Sequence, residues 1–184
     1  MKLHPKFHTA AFIDAGLENY SQLIEGILPD VRSFLLDPTA DGLLQIHRVL
    51  QEHPELKTIH IISHGSPGCL YLGNSQLSLD TLGDYQTLLQ EWQIDNLLLY
   101  GCNVAAGDAG AEFVAKLQAL TGAEIAATRT LTGAALKGGN WELEVTTGKM
   151  PPTLALSPAV RQGYAGVLNP QYEWAKGIGG SSRD

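Results

Sequence analysis

Asn96–Val104 reads NLLLYGCNV, and Thr58–Gly65, upstream of it, reads TIHIISHG. Each is a short, almost continuous apolar run that breaks at a glycine. Runs this short suit strands better than helices, and the near absence of polar alternation marks strands covered on both faces. Strands of that kind belong to a parallel sheet flanked by helices.

Nearer the N-terminus, Thr9–Ile13 is another apolar run, stopped by Asp14-Ala15-Gly16. Tyr20, Leu23, Ile24 and Ile27 recur at helical spacing, and Pro29 is expected to end that helix. Val31–Leu36 predicts a second strand, closed by Asp37-Pro38. Thr39 is the expected cap of a helix with Leu43, Ile46, His47 and Leu50 on one face and His53-Pro54 at its end. After His64 comes the turn Gly65-Ser66-Pro67-Gly68. Cys69–Leu72 and Gln76–Leu79, joined by Gly73-Asn74-Ser75, then predict a small hairpin. Leu82, Tyr85, Leu88, Leu89 and Trp92 mark one helix, and Phe113, Val114, Leu117 and Leu120 another, with Gly122 as its C-cap. Glu124–Thr128 is the fifth strand. Trp141, Leu143 and Val145 alternate with Glu142, Glu144 and Thr146 and predict a half-exposed edge strand. The fold class is therefore α/β, a mostly parallel sheet between two helical layers, with a small β-hairpin after the His-Gly turn. The tail from Pro151-Pro152 shows little periodicity. Residues 1–168 read as one domain and 169–184, NPQYEWAKGIGGSSRD, as a linker or the start of another region, so a longer parent chain is expected.

The composition fits one globular domain: 184 residues, 44% hydrophobic and 17% charged. A net charge of −7 with no basic stripe argues against a nucleic-acid partner. No run approaches the ~18 apolar residues of a membrane span, and MKLHPKFHTAAFIDAG holds no secretory core. Two locations fit: the cytoplasm, as the N-terminus reads, or the cell exterior by way of a signal elsewhere in a longer parent. Two cysteines, Cys69 and Cys102, are too few for a disulfide scaffold or a structural zinc site. They are expected as free thiols, with a single bridge between them as the alternative. No histidine pair has metal-ligand spacing, and no metal or cofactor is expected.

In an open α/β sheet, ligands collect at the carboxyl ends of the strands. His64 and Cys102 both stand at such ends. A thiol becomes a strong nucleophile when a neighbouring imidazole takes its proton, so this pair suits a thiol hydrolase. Backbone N–H groups of Gly65 and Cys102 are candidates for an oxyanion hole. The competing reading is packing, because cysteine is among the most buried residue types. Cys69, at the start of the hairpin, reads as structural, and His60, inside its strand, as a core residue. Ser63 and Ser66 stand in no G-x-S-x-G elbow, which disfavours a serine hydrolase. Asp14 either caps the following helix or faces the cleft, where its carboxylate would attract a basic group. Tyr100, Asn103 and Arg129 share that edge as pocket candidates, with Asp108 beside them.

Taken together, IDAG, LDPTADGLLQI, IHIISHGSPGCLYLG, LLLYGCNVAAGDAGAEFVAKLQALTGAEIAAT and GGNWELEVTTG resemble the DUF4347 domain, an N-terminal module of long bacterial, often cyanobacterial, surface and adhesin-like proteins. That family is grouped with the caspase-like cysteine peptidases, the clan of gingipains, legumain and separase. The resemblance implies a caspase-hemoglobinase α/β/α sandwich and a His64–Cys102 dyad. Cys102 would attack the scissile carbonyl and His64 would protonate the leaving amine. It implies a protein or peptide substrate, with self-processing of the parent chain as one form of it. A carboxylate at Asp14 would favour a basic residue before the scissile bond. The family pattern differs at two places. An acidic residue often follows the cysteine, where Asn103 stands here, and Thr128-Arg129-Thr130 replaces a Ser-Thr-Asp run. WAKGIGGSSRD resembles the opening of an SBBP-type β-propeller repeat, so C-terminal repeat domains are expected partners. The alternative function is a non-catalytic module serving adhesion, secretion or assembly. A flavodoxin-like ligand-binding domain fits less well, since no phosphate-cradling glycine loop follows the first strand.

Overall fold

The structure is a computed structural model and describes residues 7–148 and 153–169. The expected repeat-like segment after Asn169, the Pro151-Pro152 boundary and the first six residues lie outside the described residues.

The apolar runs form the strands β1 (Thr9–Asp14), β2 (Arg32–Leu36), β3 (Thr58–Ile62), β7 (Asn96–Leu99) and β8 (Glu124–Ala127). Between β3 and β7 lie three short strands, β4 (His64–Ser66), β5 (Cys69–Leu72) and β6 (Ser75–Ser78), and β9 (Val145–Thr146) follows β8. The main sheet has six strands in the order β2-β1-β3-β7-β8-β9. All neighbours are parallel except β9, which runs antiparallel to β8. The chain leaves β1 to one side for β2 and returns to the other side for β3. The switch point therefore falls at the carboxyl ends of β1 and β3, one strand from β7.

Period-2 alternation divides the sheet's side chains between two cores. Phe12, Ile59, Ile61, Leu97, Leu99, Ile125 and Ala127 face one way. They pack against α2 (Gly42–Glu52), α3 (Gln86–Gln90), α4 (Gly107–Thr121) and the small sheet. Ala11, Ile13, Ile62, Leu98, Tyr100 and Ala126 face the other way. They pack against α1 (Tyr20–Glu25), α5 (Pro158–Gly163), Trp141 and Leu143. The result is the expected three-layer α/β arrangement.

The structure corrects the sequence reading in several places. The cap of α2 is Asp41, not Thr39. The Asp41 carboxylate accepts from Leu43 N (2.9 Å) and Leu44 N (3.2 Å), while Thr39 is held by Asp37. α1 stops at Gly26, before Pro29. α3 is a short turn of helix, and Leu82, Tyr85 and Trp92 pack from the turns around it. The hairpin pairs Cys69–Leu72 with Ser75–Ser78 and gains a third strand from the histidine itself, with His64 opposite Tyr71. Trp141 and Leu143 are buried and Glu142 and Glu144 exposed, as the alternation predicts, but only Val145 and Thr146 pair with the sheet. α5 is an element the sequence reading lacks, because it is too short for apolar spacing to register. Its signal is the Ser157 cap, whose side chain accepts from Val160 N, with Pro158 in the first turn.

Candidate active site

Two glycines bring the histidine and cysteine turns together. A Cβ on Gly65 would lie 2.7 Å from Gly101 Cα, and one on Gly101 would lie 2.8 Å from Gly65 Cα. No side chain fits between these backbones, so the turn after β3 packs directly on the turn after β7. His64 and Cys102 flank this contact. His64 is 9% exposed and held in the β4–β5 ladder.

Cys102 is fully buried. Its Sγ accepts from Thr132 N (3.1 Å) and lies 3.5 Å from Thr132 O, to which the thiol donates. Burial pushes the thiol pKa up to about 11, against the pull of N–H groups of Thr132, Leu168 and Cys102 itself. Cys69 is the second free thiol, and burial raises its pKa also.

The candidate oxyanion donors converge. Gly65 N and Cys102 N each donate to the same acceptor, the carbonyl oxygen of Leu168, at 3.1 and 3.1 Å. Leu168 belongs to the segment after α5, which no sequence signal singled out.

The pocket candidates fall in different places. Asn103 takes a left-handed conformation (φ 60°) and its N–H donates to Thr130 O (2.9 Å). Ala105 N donates to Thr128 O (2.9 Å). The two departures from the family pattern thus meet, and together they fix the loop that carries Thr132 to the thiol. Arg129 is exposed, and its N–H donates to Glu144 Oε1 (2.7 Å). Asp108 is exposed in the first turn of α4. Asp14 caps no helix. One carboxylate oxygen accepts from Gly16 N (2.7 Å) and the other from Gly73 N (2.6 Å), tying the end of β1 to the β5–β6 turn. Tyr100 is wholly buried, and its hydroxyl meets His60 Nδ1 (2.8 Å) and Ala155 N (3.0 Å) within the second core. Burial raises its pKa and lowers that of His60 to about 4.

Among the described residues no group of three or more His, Cys, Asp or Glu is placed to hold a metal ion. No described helix is long and apolar enough to cross a membrane.

Over residues 10–168 the chain matches the family described as a domain of unknown function, DUF4347, and it belongs to that family. No curated protein and no solved structure matches it.

Proposed function

We propose that the protein is a cysteine endopeptidase of caspase-like type, with Cys102 as nucleophile and His64 as acid–base partner. One observation carries the reading. Two backbone N–H groups, Gly65 and Cys102, meet on a single peptide carbonyl beside the Cys102 thiol. Acyl transfer needs that arrangement, because charge builds on the carbonyl oxygen as sulfur attacks. The Gly65–Gly101 contact holds the two donors in place before any substrate arrives. A basic preference would need a free carboxylate at Asp14, and both of its oxygens are taken by backbone donors.

Burial of Cys102 and its raised pKa favour a second reading, an inert module in which the thiol only packs. Turnover separates the two. The Leu168 carbonyl fills the donor site, so the assay uses the full chain and a Leu168→Asp variant, in which a buried charge drives that segment out. Fluorogenic peptides acetyl-Gly-Val-Xaa-aminocoumarin, with Xaa Leu, Arg or Asp, are offered to both proteins. Cleavage that disappears in Cys102→Ala and is strongly slowed in His64→Ala is expected. Absence of turnover with every peptide, in variants that melt cooperatively, supports the inert module and rejects the peptidase.

A further inference from the structure

The Leu168 carbonyl is not an isolated contact. Residues 166–168 lie antiparallel to residues 132–134. Gly133 pairs with Val167, Leu168 N donates to Thr132 O (2.9 Å) and Ala134 N donates to Gly166 O (2.8 Å). An extended peptide is bound in the same way when it adds a strand to an exposed backbone edge. Glycine makes the approach possible. Gly133 has φ 130°, and a Cβ there would sit 2.3 Å from Gly166 O. The Leu168 side chain is fully buried in the same apolar cluster as Ile13, Leu17, Ile62 and Cys102. Upstream, α5 is fastened by Trp141 Nε1 donating to Arg161 O (3.0 Å), and Tyr164 by its hydroxyl donating to Glu18 O (2.6 Å). The chain thus lies like a bound peptide, its Leu168 carbonyl on the Gly65 and Cys102 N–H groups and its Leu168 backbone acting on the thiol, with Leu168 before the candidate bond and Asn169 after it.

We propose that the protein cleaves its own chain between Leu168 and Asn169, and that its substrate class is an extended peptide with an aliphatic residue before the scissile bond. This rests on the peptidase reading above. Cys102 Sγ, its proton passed to His64, forms a bond to the Leu168 carbonyl carbon. Gly65 N–H and Cys102 N–H hold the oxyanion. The C–N bond to Asn169 breaks, and the amine leaves with the proton from His64. Water then hydrolyses the thioester, giving the Leu168 carboxylate and restoring the thiol. Matched residues of the family also run to Leu168, so the cut would release the whole domain from residues 169–184. The antiparallel pairing predicts the preference as well. Leu168 fills an apolar site, so methionine is expected to serve there and aspartate to fail. Backbone pairing, which is indifferent to side chains, supplies the rest of the recognition.

The test is intact mass of the full chain over time, for wild type, Cys102→Ala, Leu168→Met and Leu168→Asp. Expected are fragments ending at Leu168 and beginning at Asn169 in wild type and Leu168→Met, with none in Cys102→Ala and at least ~100-fold slower cutting in Leu168→Asp. An uncut wild type, or Cys102-dependent cutting at another bond, overturns the proposal. If acetyl-Gly-Val-Leu-aminocoumarin is still turned over in that case, the peptidase reading stands while self-cleavage fails. If it is not, both fail. Thermal melts of each variant separate misfolding from lost cleavage, and Leu168→Met retains the apolar volume should Leu168→Asp unfold.

Discussion

The protein carries two thiols, both buried, both free and both with pKa values raised by burial. Their surroundings differ. Cys69 sits in the small sheet, where its sulfur approaches Leu70 O (3.9 Å) and Gln76 Oε1 (4.0 Å). Burial raises its pKa, and the Tyr71 and Ser66 hydroxyls pull it the other way. Cys102 is bracketed by Thr132, whose N–H donates to its sulfur and whose carbonyl accepts from the thiol, and its own N–H joins that of Gly65 on the carbonyl of a distant segment. Burial alone therefore does not distinguish a working thiol from a packed one. Backbone donors that converge on one carbonyl are the feature by which we propose to tell the two apart, because they stabilise negative charge on the oxygen that attack by sulfur creates.

The largest expected effect is at the histidine. His64→Ala should slow Cys102-dependent peptide cleavage by roughly 10²–10⁴-fold, the usual contribution of general acid–base catalysis, while Cys69→Ser leaves it unchanged. Steady-state turnover of the leucine peptide checks both, and equal losses would erase the contrast between the thiols. Gly65→Ala comes next. Its Cβ would meet Gly101 Cα at 2.7 Å, so the two turns must part and one oxyanion donor is displaced. Turnover is expected to fall about 10²–10³-fold, and a denaturant melt should show a loss of about 1–3 kcal/mol.

A third effect concerns stability. Burial holds His60 neutral, moving its pKa from 6.5 to about 4. The unfolded chain binds the proton first as pH falls, so the contribution is complete above 6.5 and is lost progressively down to about 4. At ~1.4 kcal/mol per pH unit the loss reaches about 3 kcal/mol. His60→Gln should flatten the acid side of a stability-versus-pH curve measured by urea melts. An unchanged slope would mean that other groups cause it. The smallest effect is at Asp14. Asp14→Asn weakens the tie to Gly73 and so loosens the hairpin that holds Cys69, at a cost of about 1–2 kcal/mol. Iodoacetamide labelling of Cys69 should rise modestly, with the proposed leucine-over-arginine preference in peptide cleavage unchanged.

The sheet was legible because buried parallel strands carry continuous apolar runs, and glycines punctuate their ends. That His64 and Cys102 follow the ends of β3 and β7 could be read from those glycines, whereas the sheet order shows that these two strands are neighbours. The hidden features depend on contacts between distant parts of the chain. A free carboxylate at a strand end looks the same in sequence as one committed to Gly16 and Gly73, so Asp14 invited a pocket reading. Tyr100 adjoins Gly101 in sequence, yet strand alternation turns its ring into the second core, where its hydroxyl is taken by His60 and Ala155. The segment Gly166-Val167-Leu168 has no periodicity long enough to register. Its pairing arises only when α5 and the loop at Gly133 bring it to residues 132–134 and to the N–H groups of Gly65 and Cys102.

If the Gly65 and Cys102 donors select a carbonyl for attack by Cys102, a reagent that reacts through an oxyanion must single out that thiol. An acyloxymethyl ketone built on acetyl-Gly-Val-Leu reacts in this way, whereas iodoacetamide does not. Labelling rates of Cys102 and Cys69 by the two reagents, measured site by site in the Leu168→Asp chain, compare them directly. The ketone is expected to favour Cys102 over Cys69 at least ~100-fold more strongly than iodoacetamide does. The same ratio with both reagents would contradict selection by the two donors.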